Sequence, residues 1–352
     1  MERIHIAFFG PTNSGKSTLV NAIAGQQVSL VSDVPGTTTD PVRKLIELPE
    51  LGPCVLIDTA GLDDTGILGS ERQRLTRAVL DETDVAVVLQ LSQNDGFGTL
   101  AAQAGIPVIH YTRGESVESL LRRIREAVPE EEQRHLTGNL VKAGDTVLLV
   151  MPQDSEAPKG RLILPQVQVL RELLDRGCNP VCCTPDSLPS ALAALKALPA
   201  LTITDSQVFA LVNRALPGTA PLTSFSVLLA AAKGDAEVFA EGAKAIDRLT
   251  RGSRVLIAEA CTHVPNTEDI GRVKIPALLW KKADVQVDIT AGNDFPEDLT
   301  PYDLIIHCGA CVASRTLVRA RTRKALLAGV PITNYGIALA YLQGMLDRIV
   351  IP

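Results

Sequence analysis

Aromatic residues are scarce in this 352-residue chain, at 3 %, with one Trp, four Tyr and seven Phe. Surfaces that hold single-stranded nucleic acid stack bases on aromatic side chains set among basic ones, and that material is missing. The basic balance is missing too: a net charge of −6 argues against a broad, sequence-independent grip on nucleic acid, which needs a basic face to release counterions. There is no run of eighteen uncharged apolar residues, so no membrane-spanning helix is expected. An apolar strand begins almost at Met1, where a signal peptide would need room, so a cytoplasmic protein is expected. Seven cysteines in such a chain are not read as a disulfide framework, and any cluster of them is tested first as metal ligands. Disorder is excluded by the composition, 46 % hydrophobic and 21 % charged. The length suits two or three domains, each with its own core.

The stretch RIHIAFFGPTNSGKSTLVNAIAG runs from an apolar strand through Gly10, four residues, Gly15, Lys16 and Ser17 into a helical pattern. That strand–loop–helix context is what a phosphate-binding loop requires. Backbone N–H groups across Gly10, Asn13, Ser14, Gly15 and Thr18, with the Lys16 ammonium, would surround the β- and γ-phosphates, and the Ser17 hydroxyl would reach Mg²⁺. Two further signals follow in order. VPGTTTDPV offers Thr38 to close on Mg²⁺ and the γ-phosphate. VLIDTAGLDD ends a strand in Asp58, a carboxylate able to hold Mg²⁺ through water, and Gly61, whose N–H can meet the γ-phosphate.

With these three motifs the chain resembles the GTPases of the tRNA-modification and ribosome-assembly type, which share the N-x-G-K-S, G-T-T and D-T-A-G wording. The resemblance implies GTP and Mg²⁺ as ligands, Lys16, Thr38 and Gly61 as the catalytic set, and Asn13 as a ligand of K⁺. Leu62 after D-T-A-G cannot orient the attacking water as a Gln could, so hydrolysis is expected to be slow. One departure stands out, because these relatives read guanine with N-K-x-D and no such tetrapeptide occurs here. Between the strand near 84–89 and the strand at 106–110 lie 16 residues, Gln90 to Gly105, too few for a helix and another strand at ~1.5 and ~3.3 Å per residue. One α/β unit is therefore expected to be shortened or lost, with Asn94 and Asp95 read as a plain turn.

The charged stretch PEEEQRHLTGNLVKAGDT reads as a domain boundary. Beyond it, TVLLVMP, a helix near 165–176, NPVCCTP and a helix near 187–197 follow a βαβ rhythm. Cys178, Cys182 and Cys183 lack metal-ligand spacing and read as packing residues, with Cys182 and Cys183 on opposite faces of a strand. The apolar helix TSFSVLLAAA suits either subunit contact or an ordinary core.

SRVLIAEACTH and YDLIIHCGAC are each a short apolar run ending in a cysteine motif. If their strands are parallel, Cys261, His263, His307, Cys308 and Cys311 emerge on one edge of the sheet, where open α/β folds place their ligands. Two of the five His in the chain fall in this pattern, C-x-H, then 43 residues, then H-C-x-x-C. Three thiolates and a His satisfy tetrahedral zinc, and thiolates equally hold iron–sulfur clusters.

The combination of domains resembles the HydF family, the GTPases that mature FeFe-hydrogenases. The likeness runs along essentially the whole chain, through PGTTTDPV, DTAGLDDTGILGSER, GDAEVFAEGAKAIDRL and VLIAEACTHVPNTEDIGR. It implies a 4Fe-4S cluster on Cys261, Cys308 and Cys311, an exchangeable fourth ligand among His263, His307 and Glu268, and a transient di-iron precursor as cargo. The implied partners are apo FeFe-hydrogenase and the radical-SAM maturases, with neither nucleic acid nor membrane, and the implied assembly is a homodimer. Ala310 replaces the family's second Gly of H-C-G-G-C, and the 43-residue spacer is slightly short. Arg315, Arg319 and Arg323 recur on one face of a helix after Cys311, suited to an anionic precursor or simply to solvent. The expected fold class is α/β in three parts: a shortened P-loop GTPase-like parallel sheet (1–130), a middle α/β dimerisation domain (131–248) and an α/β cluster-binding domain (249–352).

Overall fold

A computed structural model describes residues 3–25, 41–49, 51–61, 76–90, 97–128, 135–153, 162–260, 269–292, 294–311 and 313–352. Two compact units are formed, one of residues 1–132 with Ser314–Arg321, the other of 133–313 with 322–352.

The first unit runs β1 (Ile4–Phe9), α1 (Lys16–Ala24), β2 (Val42–Leu48), β3 (Gly52–Asp58), a helix α2 over 76–82, β4 (Val85–Leu89), α3 (Phe97–Ala104), β5 (Val108–Tyr111) and α4 (Val117–Ala127). Strand order is β2-β3-β1-β4-β5, with β2 antiparallel to β3 and the other pairs parallel. The sequence of β1 explains its central place. Ile6 and Phe8 pack on one face with Leu19, Val20 and Ile23 of α1 and Leu120 and Ile124 of α4, while Ala7 and Phe9 face Val79, Leu80 and Phe97. A parallel strand covered on both faces reads as a continuous apolar run for this reason. Among the described residues the sheet has five strands, and one helix connects β4 to β5.

The second unit holds two further sheets. β6 (Thr146–Val150), α5 (Leu164–Asp175), β7 (Asn179–Cys183), α6 (Leu188–Ala194), β8 (Leu201–Thr204), α7 (Phe209–Ala215), β9 (Leu222–Ser224), α8 (Phe225–Lys233) and α9 (Ala236–Ala243) build a parallel sheet of order β7-β6-β8-β9. The TSFSVLLAAA stretch is core: Phe225, Val227, Leu228 and Leu229 of α8 are buried within this single chain. Cys178 is buried too, as expected of a packing residue. Cys182 departs from that expectation because β7 is an edge strand and leaves it exposed.

The last sheet, β11-β10-β12-β13, comes from β10 (Arg254–Ala258), α10 (Ile275–Lys282), β11 (Gln286–Thr290), β12 (Leu304–His307), β13 (Ile332–Asn334) and α12 (Tyr335–Leu342), while α11 (Arg315–Leu327), between β12 and β13, is counted with the first unit as far as Arg321. All its pairings are parallel, and β10 and β12 are direct neighbours with Ala258 opposite His307. Val255, Ile257, Leu304 and Ile306 share its core with Ile275 and Leu279 of α10.

Candidate functional site

The loop between β1 and α1 is shaped to surround an anion. Asn13 (φ 60°) and Gly15 (φ 93°) both take the left-handed conformation, which turns successive amides toward one side. Gly10 could not carry a side chain: a Cβ there would lie 2.5 Å from the Leu89 carbonyl and 2.8 Å from Ser14 Oγ. Lys16 opens α1, is buried, and donates from Nζ to the carbonyls of Gly10 (3.0 Å) and Pro11 (2.8 Å), bracing the loop's entry. Thr18, in the first turn of α1, is exposed. Ser17 Oγ donates to Asp58 Oδ2 at 2.6 Å, so the hydroxyl and carboxylate that would share a hard cation are adjacent. Asp58 is 2 % exposed. Thr59, not foreseen from sequence, anchors the turn after it by donating from Oγ1 to Phe8 O at 2.6 Å. Gly61 follows in this turn, while Thr38 and Leu62, with Asn94 and Asp95, lie outside the described residues.

Past β5 a turn at Thr112–Glu115, with Gly114 at φ 92°, stands on the sheet edge that carries the phosphate loop. The Glu115 carboxylate accepts from Ser119 Oγ (3.0 Å), from the Thr112 amide (3.4 Å) and, through both oxygens, from Arg123 Nη1 (3.1 and 3.0 Å). Burial works to raise its pKa, but these hydrogen bonds outweigh it and hold the carboxyl below its usual range.

In the second unit, β10 and β12 end side by side, and the H-C-x-x-C loop leaves β12 there. The Cys308 amide donates to Ala258 O (3.0 Å), and Cys308 Sγ accepts from the amides of Ala260 (3.0 Å) and Ala310 (3.4 Å). Ala310 stands at φ 49°, a conformation glycine adopts more readily, and is buried. Cys308 and Cys311 are both partly open to solvent. His307 is 1 % exposed, its Nδ1 lying 2.8 Å from Cys308 O. Beneath the loop lies a polar group that sequence reading missed. Glu259, 1 % exposed, accepts from Arg272 Nη2 (2.8 Å) and from the Tyr335 hydroxyl (3.5 Å). Burial, with Cys308 and Glu259 near it, pushes the Tyr335 phenol far above its ordinary pKa, so the hydroxyl stays a donor.

Cys261, His263 and Glu268 lie outside the described residues, and among the described ones no group of three or more His, Cys, Asp or Glu is placed to hold a metal ion. Of the basic face, Arg319 and Arg323 are exposed and Arg315 is partly buried; the guanidinium that α11 buries is Arg321.

Residues 136–234 match the hydrogen maturase F dimerization domain, and 237–352 match the hydrogen maturase F tetramerization domain. The chain belongs to the hydrogen maturase F family. Its amino-terminal part, residues 5–154, matches the family described as 50S ribosome-binding GTPase. Hydrogen maturase F membership therefore joins a GTPase domain to two oligomerisation domains in one chain. Outside the family, the tRNA modification GTPase MnmE of Xanthomonas oryzae pv. oryzae is 36 % identical over 122 residues, 34 % of this chain and 25 % of that protein. GTPase Der of Clostridium botulinum is 40 % identical over 92 residues, 25 % of this chain and 21 % of that protein. The chain thus spans about a quarter of the length of the curated relatives it matches. A variant of Aquifex aeolicus Era bound to GDP and aluminium fluoride aligns at 15 % identity and a TM-score of 0.29, covering 84 % of this chain and 95 % of that one. No described helix is long and apolar enough to cross a membrane.

Proposed function

We propose that this hydrogen maturase F is a GTP-hydrolysing carrier that holds a 4Fe-4S cluster and delivers a di-iron precursor to apo FeFe-hydrogenase. The observation that carries the reading is the Cys308–Cys311 loop at the carboxyl edge of a parallel sheet, in a chain that also bears a braced phosphate loop. The loop fits the cluster: the Cys308 sulfur is already held as a hydrogen-bond acceptor by two amides, and such bonds are among the means by which proteins tune iron–sulfur sites. Cys261, Cys308 and Cys311 would supply the thiolates. The His307 ring sits against its own loop, which favours His263 or Glu268 for the fourth position. When bound, the cluster supplies an anionic iron site with one exchangeable position for the cargo.

In the GTPase domain the loop amides and Lys16 would bind the β- and γ-phosphates. Ser17 would bind Mg²⁺ directly and Asp58 would hold it through water. The Gly61 amide and Thr38 would close on the γ-phosphate, and Asn13 would bind K⁺. Water attacks, and GDP and phosphate leave. Leu62 takes no proton and orients no water, so turnover is slow unless K⁺ or a partner completes the site.

Guanine selectivity should be modest. A carboxylate that reads guanine must accept two N–H groups from the base, and Glu115, the carboxylate after β5, already receives four hydrogen bonds. Competition binding should give a GTP-over-ATP preference below about 10²-fold, the discrimination expected without a dedicated polar reader. A preference of about 10⁴-fold would reveal one.

For self-association, α5 turns Leu164, Val167 and Leu174 outward along one face, at 43, 46 and 51 % exposure. Within the dimerization domain this is a half-exposed apolar surface. Replacing Val167 and Leu174 together by Glu should weaken dimerisation in analytical ultracentrifugation by about tenfold or more, two buried apolar side chains being worth a few kcal/mol. An unchanged dissociation constant would place the dimer contact elsewhere.

The carrier reading is tested by maturation in vitro. The chain, purified from cells that also make the radical-SAM maturases, is mixed with apo-hydrogenase and hydrogen evolution is followed. Activation that requires this chain supports the reading; no activation by protein carrying its full iron and sulfide contradicts it. A ribosome-directed GTPase with a structural zinc domain would instead retain zinc and bind RNA in a salt-dependent way.

A further inference from the structure

Lys233 closes α8, at the end of the dimerization domain, and is buried to 8 % exposure. A lysine in the last turn of a helix ordinarily faces the helix carbonyls and solvent. Here Nζ instead reaches the H-C-x-x-C loop and donates to three of its carbonyls: Ala310 at 2.7 Å, Cys311 at 3.3 Å and Ala313 at 2.8 Å. An ammonium has three donors, and three loop carbonyls take them. The loop needs such a tie, because Ala310 holds a left-handed conformation that a residue with a Cβ adopts at a cost. The tie at the Ala310 carbonyl adjoins a second bond of the same residue, whose amide donates to Cys308 Sγ at 3.4 Å. α8 is itself fixed by its buried residues in the middle domain's core, so the tie runs from a rigid element.

We infer that Lys233 is a positioning residue of the cluster site, a clamp from the dimerization domain that sets the spacing and orientation of Cys308 and Cys311. This rests on the cluster assignment proposed above. It adds a residue 77 positions away in sequence from Ala310, with no ligand of its own to offer iron. The clamp acts through backbone geometry, and its cation lies where an anionic cluster would be favoured.

The test compares wild type with Lys233→Met and Lys233→Arg in two measurements. In the apo protein, alkylation of Cys308 and Cys311 by iodoacetamide is followed by mass spectrometry. In the reconstituted protein, iron loss to a chelator and the EPR spectrum of the reduced state are recorded. GTP turnover and thermal melting serve as controls. Lys233→Met should change the alkylation rates at both cysteines, lose iron about 10- to 100-fold faster, as second-layer changes at metal sites do, and alter the EPR line shape. Lys233→Arg, which keeps charge and donors, should fall between. Wild-type alkylation rates and iron retention in a folded Lys233→Met protein would overturn the clamp. If that variant does not fold, Lys233→Gln decides by the same criteria. If wild type itself takes up no cluster, the carrier reading fails, and the apo alkylation rates still decide whether Lys233 sets the loop.

Discussion

Lys16→Ala should lower GTP turnover by about 10²- to 10³-fold, the size of effect seen when one preorganised charge-stabilising donor is removed from an active site. Lys16 is nearly enclosed at the start of α1, and its ammonium lies over the Gly10 and Pro11 carbonyls, which lets it turn to a phosphate without leaving the loop. Charge builds on the phosphoryl oxygens as the bond to the leaving group loosens, so a cation fixed beside them acts more strongly on the transition state than on bound substrate. The fold should survive, since the loop amides keep their own bonds, Ser14 N to Pro11 O and Leu19 N to Gly15 O. The check is steady-state phosphate release with Mg²⁺ and K⁺ present, beside circular dichroism. Turnover within twofold of wild type would show that phosphate is not bound at this loop.

Cys308→Ala should abolish maturation and cluster retention while leaving GTP turnover within about twofold, because the P-loop residues and the cysteine belong to different compact units. Alanine removes a cluster thiolate and also leaves the Ala260 and Ala310 amides without their acceptor, at a cost of about 1–3 kcal/mol if they stay dry. Cys308→Ser separates the two effects. Its hydroxyl can still accept from those amides, so stability should largely return while iron retention does not. Iron and sulfide analysis, thermal melting and phosphate release distinguish these outcomes. A serine variant that kept a full complement of iron would remove Cys308 from the site.

Much of this fold is legible in the sequence. The phosphate loop announces itself because its chemistry is local: strand, tight turn and helix start are consecutive, and Gly10, Asn13 and Gly15 stand where small or left-handed residues are needed. The adjacency of the strands that precede the two cysteine motifs was legible for another reason. Apolar runs such as VLIA and LIIH suit parallel strands covered on both faces, and parallel strands share a carboxyl edge. What sequence does not carry is contact made across long separations. Lys233 looks like an ordinary helix-ending lysine, Arg321 like one more charge on a basic helix, and Glu259 like the polar residue of a strand end. All three are buried, and the partners of Lys233 and Glu259 include residues 77 and 76 positions away. The edge position of β7, which exposes Cys182, is likewise a property of sheet order and not of the NPVCC segment.

The cluster site is tested first by EPR of the dithionite-reduced full chain after anaerobic reconstitution with iron and sulfide. About one 4Fe-4S cluster per chain is expected, with a reduced-state signal that Cys308→Ala removes. A protein that holds stoichiometric zinc and gives no iron–sulfur signal would contradict this expectation.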